Sequence, residues 1–188
     1  MNNDPQSGSR AVAGSMEASS AEFLKRAAAC PSDLSVWTKL YAASQTMLSA
    51  VRTQRVVPAL TEICANLVGC EELAIVEIER GSNGVHFLSA EGLTPAHREV
   101  LIQNARQLES QIDPGNVRIL VAEEGDPDNL GSLGISALVP LWKDERSSCA
   151  MLLFQLLPQR NGFDAEDREI LQLLTIYAGP CLRSQKRG

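Results

Sequence analysis

Long apolar runs are missing from this chain. No segment approaches the roughly 18 apolar residues that a membrane span requires. The opening stretch MNNDPQSGSRAVAGSMEASS also lacks the charged-then-apolar order of a signal peptide, so a cytoplasmic protein is the expectation. An excess of basic charge is missing too. With 17 Lys and Arg against 23 Asp and Glu the net charge is −6, which argues against a nucleic-acid backbone or an anionic membrane as partner. Only two histidines occur, His86 and His97, and a mononuclear iron or zinc site wants three or four protein ligands that cannot be assembled around them. The five cysteines (Cys30, Cys64, Cys70, Cys149, Cys181) are an odd number without a C-x-x-C pair. Each lies in or beside an apolar run, so core thiols are expected rather than disulfides or a metal cage. There is no G-x-S-x-G, no phosphate-cradling glycine loop and no Cys–His pairing. These absences predict no catalytic residue, no metal, no cofactor and no enzyme.

What is present is organised around Ile135 to Leu157, ISALVPLWKDERSSCAMLLFQLL. It reads as two strands, Ile135 to Trp142 and Cys149 to Leu157, joined by a polar turn. Both are continuously apolar, as strands are when both faces of their sheet are covered. Pro140 predicts either a bulge or an outer edge where its missing N–H has no partner to serve.

Before this hairpin, residues 1–20 are rich in Ser, Gly, Asn and Ala and read as a disordered tail, and residues 21–33 as a short helix and linker. A helix is predicted over Leu34 to Val51 and another over Val56 to Val68, with Pro58 in its first turn and Gly69 as the stop. Leu73 to Glu79 and Val85 to Glu91 form a hairpin about Gly81-Ser82-Asn83-Gly84. A middle helix runs from Thr94, its cap, to about Ser110, followed by a short strand over Val117 to Ala122. Glu123 to Gly134 is an acidic loop, and Asp164 caps a last helix in which Pro180 should cause a kink. The fold class is therefore α+β: a central antiparallel sheet of five to six strands, terminal helices on one face, a middle helix and lid on the other.

With Ser136-Ala137-Leu138-Val139-Pro140-Leu141, Phe163-Asp164-Ala165-Glu166-Asp167 and Glu91-Gly92-Leu93 in these places, the chain from about Leu34 to Leu182 resembles a GAF domain, the sensory module of many bacterial signalling proteins. The resemblance implies dimerisation through the first and last helices and a ligand pocket on the opposite face. Three departures remove named chemistries of the family. The lid segment is short and acidic, which disfavours an anionic nucleotide. No cysteine is followed by His, as a bilin carrier requires. None lies between Glu71 and Arg146, where the sulfoxide-reducing relatives need them.

The domain is expected to span 34–184, with a tail at 185–188. Pocket candidates are Phe87, Ser89, His97, Glu123, Asp126 and Ser136, and a homodimer would use Trp37, Leu40, Tyr41, Leu48, Tyr177, Cys181 and Leu182. His97 weighs more as a pocket-lining or exposed residue than as a metal ligand, and the acidic loop more as a solvated segment than a cation site. The expected function is that of a non-catalytic regulatory module that binds a small molecule and signals to a separate partner protein. The alternatives are a ligand-free interaction module, whose pocket is filled by its own side chains, and a redox sensor using Cys149 or Cys70.

Overall fold

The computed structural model describes residues 31–82, 84–120 and 130–186. From Leu40 onward they form one compact unit, and Pro31 to Lys39 belong to another. In chain order the elements are α1 (Pro31–Thr53), α2 (Val56–Ile63), β1 (Cys70–Glu79), β2 (Val85–Glu91), α3 (Pro95–Gln103), α4 (Ala105–Gln111), β3 (Arg118–Ile119), β4 (Ala137–Lys143), β5 (Ser147–Leu156) and α5 (Ala165–Lys186). All five strands are antiparallel, in the order β2-β1-β5-β4-β3.

The central strands explain their own composition. In β5, Cys149, Met151 and Leu153 pack with Leu60, Ile63, Leu171 and Leu174 of α2 and α5. Ala150, Leu152 and Phe154 point the other way, into a second cluster with Leu101, Ala105 and Leu108 of α3 and α4. A strand sandwiched in this way gains from an apolar residue at every position, so alternation disappears.

Local signals set most boundaries. Gly69, at φ 72°, closes a π-helical turn (Cys64–Val68) that extends α2. Asp164 caps α5 by accepting the N–H of Asp167 at 2.8 Å, while the Asp167 carboxylate accepts that of Asp164 at 2.9 Å, a reciprocal capping box. The buried Asp167 is also paired with Arg160. The register of β4 against β5 shifts between Pro140 and Trp142, so Pro140 does sit at a bulge.

Several expectations need correction. Helix α1 begins at Pro31, three residues before the expected start at Leu34. β1 begins at Cys70, three residues before the expected start. The middle helix is two helices, because Asn104 (φ −106°, ψ 19°) leaves the helical region and its side chain donates to the carbonyl of Val100. β3 is reduced to two residues. Helix α5 continues through Pro180 to Lys186. The N-terminal helix and tail expected before Pro31, and the loop residues 121–129, lie outside the described residues. Among those described, no helix is long and apolar enough to cross a membrane.

Candidate functional site

One corner of the sheet gathers polar side chains around β1 and the start of α3. In β1 the adjacent Glu71 and Glu72 face opposite ways, and Glu72 is 5% exposed. The chain returns to it through Gly92, which at φ 64° passes so close that a Cβ there would stand 2.5 Å from the Glu71 carbonyl oxygen. That approach sets the start of α3 over Glu72. One carboxylate oxygen, Oε1, accepts the Thr94 backbone N–H at 2.9 Å and lies 2.6 Å from His97 Nδ1. Because a carboxylate only accepts, Nδ1 carries the proton in this pair. The His97 ring stacks on Phe154, with centroids 4.7 Å apart. Its Nε2 faces Gly134, at φ 80°, where a Cβ would lie 2.8 Å away.

Phe154 is available for this because β5 bulges: Glu72 pairs with Gln155 and Leu73 with Leu153, leaving Phe154 between them. Ser136 mends the ladder there, its Oγ donating to the Phe154 carbonyl at 2.5 Å. Beside His97, the Arg98 guanidinium lies 4.5 Å over the Phe87 ring.

Four of the six pocket candidates are therefore placed. His97 and Ser136 meet around Phe154, and Phe87 is one residue further along through Arg98. Ser89 bonds only weakly, to Glu91 at 3.5 Å. Glu123 and Asp126 lie outside the described residues. Reading the sequence missed Glu72, Phe154, Gly92 as a close approach, and Gly134. A signal for Glu72 was present: a carboxylate inside the apolar run CEELAIVEIE has one face of the sheet to enter, and needs a donor there.

The Glu72 contacts hold the start of α3 over β1. No group of three or more His, Cys, Asp or Glu among the described residues is arranged to hold a metal ion. Between the sheet and α3–α4, Leu101, Leu108, Ile112, Leu130, Leu138 and Leu152 pack in one cluster, each at most 1% exposed.

The opposite layer is different. On α1, Tyr41, Leu48 and Val51 recur at helical spacing and are exposed, Tyr41 to 68%. On α5, Ile176 and Tyr177 are exposed, and Cys181 is half-buried. Trp37 is exposed in the preceding unit. Leu182, at 6% exposure, belongs to the core, and Leu40 packs against that core.

The thiols of Cys64, Cys70 and Cys149 are buried. Burial pushes Cys70 up to about 11 and Cys64 further still. Thiolate is then scarce at neutral pH, which is unfavourable for redox sensing. Iodoacetamide at pH 7 is expected to modify Cys181 while leaving Cys64, Cys70 and Cys149 unmodified until the fold opens, as read by peptide mass mapping. Rapid labelling of Cys70 or Cys149 restores the redox sensor. The same shift fixes a sign: a raised thiol pKa contributes stability that is whole below the unfolded value near ~8.5 and is lost toward the folded value. Stability is expected to decline as pH rises from about 8.5 to about 11.

A five-stranded antiparallel sheet in this order, with terminal helices on one face and a middle pair on the other, is the fold of a GAF domain. A solved structure described as the GAF domain of a sensor histidine kinase from Pseudomonas syringae pv. tomato shares it, with a TM-score of 0.52 and 19% identity over 83% of this chain and 90% of that one. No family model matches the chain. No curated protein matches it in sequence.

Proposed function

We propose that this chain is a regulatory GAF-type module of a signalling system, working through contacts with a separate partner protein and not through catalysis of its own. Its working unit is 34–184, its place the cytoplasm, and its surface the exposed faces of α1 and α5. The observation that carries this is the contrast between the two layers. Among the described residues, Leu101, Leu108, Leu138 and Leu152 pack together on the face where a small ligand would sit, while Tyr41, Leu48, Val51, Ile176 and Tyr177 stand in solvent on the other. Exposed apolar faces of this kind mark interaction sites. A homodimer through these helices is part of the proposal, and the sensor-kinase setting of the structural neighbour supports a signalling role.

A bound small molecule is the alternative, favoured by one feature: the His97 ring, held by Glu72 and Phe154 with Nε2 turned toward Gly134. Native mass spectrometry on gently purified protein, repeated after denaturation, separates the two. A bare dimer is expected. An extra mass lost on denaturation moves the function to ligand sensing, and a bare monomer removes the paired helices. In the dimer, Tyr41→Asp with Tyr177→Asp should weaken association about 30-fold or more, the ~2 kcal/mol expected of buried aromatic anchors. Unchanged association in the double variant places the interface elsewhere.

A further inference from the structure

A groove of about 840 Å³ lies between α5 and the outer edge of β4. Leu141 and Trp142 form its floor, Ile176 and Pro180 one wall, and Lys143 and Arg183 are the charged residues that line it. Two local features shape it. The bulge after Pro140 pushes Leu141 out of register, and Gly179 lets α5 close onto the Leu141 carbonyl. β3 pairs only with Ala137 and Leu138, so the outer edge of β4 from Val139 to Lys143 has no strand partner among the described residues.

We propose that this groove docks an extended acidic–apolar segment of the partner protein, one that puts an apolar side chain over Leu141 and Trp142 and a carboxylate between Lys143 and Arg183. The inference rests on the partner-contact function above and names the surface and the chemistry. Charge selects the occupant. Both charged lining residues are cations, in a chain of net charge −6. Each holds one acid outside the lining, Glu109 at 3.2 Å from Lys143 and Asp144 at 3.1 Å from Arg183, and neither is saturated. The ammonium has a third N–H beyond Glu109 and the Glu109 carbonyl. The buried Nε of Arg183 has no hydrogen-bond partner among the described residues. A carboxylate in the groove would take the ammonium N–H and pair with the 41% exposed Arg183 side chain, while the sealed Nε takes no part. Pro140 and the bulge spoil the edge as a ladder, so side chains rather than strand addition would hold the segment.

The test is selection of random dodecapeptides displayed on phage against the whole protein, with synthetic copies of the winners titrated into Trp37→Phe protein. That substitution leaves Trp142 to report emission from the groove floor. Enriched peptides combining Asp or Glu with a large apolar residue, and a saturable change in Trp142 emission, are expected. Lys143→Gln with Arg183→Gln should weaken binding about tenfold, near 1.4 kcal/mol. Pro180→Asp, at an exposed position of the groove wall outside the proposed dimer face, should weaken it at least as much. No enrichment, winners without acids, or affinity indifferent to both variants overturns the proposal. A winner that binds a protein found by native mass to be monomeric keeps the groove and removes only the paired helices.

Discussion

Replacing Gly179 with alanine is expected to lower the melting temperature by roughly 6 °C or more, from about 3 kcal/mol of overpacking in a protein of this size. The added Cβ would sit 1.9 Å from the Leu141 carbonyl oxygen and 2.9 Å from its carbonyl carbon. Both obstacles are backbone, so no rotamer change relieves them. Either α5 lifts away from β4, parting Leu174 and Ala178 from the core, or β4 moves with its bulge. A thermal melt followed by circular dichroism decides it. A midpoint within a degree or two of the parent protein means that α5 slides over β4 freely, and that the groove beside it has no fixed width.

The second large effect is at Glu72. Its replacement by alanine strands two donors, the Thr94 N–H and His97 Nδ1, and opens a void under α3, at a cost of about 2–3 kcal/mol. Glutamine keeps a carbonyl acceptor for the Thr94 N–H and should recover much of the loss. Urea unfolding of both variants gives the magnitudes. Hydrogen exchange gives the location: amides of Ala96 to Gln103 should exchange faster in the alanine variant, while those of α2 should not. Equal stability of the two variants means that solvent reaches this carboxylate and the tether is not one.

Much of the fold could be read from residues in order, because each carries its instruction locally. Val85–Glu91, the Thr94 cap before Pro95, the Gly69 stop and the Asp164 cap were all legible at their own positions. So was the bulge at Pro140, since a missing N–H is a property of one residue. The site was harder to see because it is made by pairings distant in sequence. Glu72 and His97 are joined only once β1 and α3 are placed together. Phe154 becomes a stacking surface only through a register slip between β1 and β5. Gly179 looks like a weak helix residue until its neighbour is known to be the Leu141 carbonyl. Asn104 was missed for a different reason: the apolar spacing of Leu101, Ala105 and Leu108 runs straight through the break, so periodicity hides it.

That break divides the middle layer into halves with separate fasteners. Helix α3 is held at its start by Glu72. Helix α4 is held near its end, where Glu109 meets Lys143 at 3.2 Å and Ser148 at 3.3 Å. One continuous rod pinned at both ends would have to leave the sheet all at once. Two short rods meeting at Asn104 need not leave together, since each is fastened at its own far end. A signal that loosens Thr94 and His97 would then be felt at the lid side of the sheet while the β4–β5 turn kept its grip.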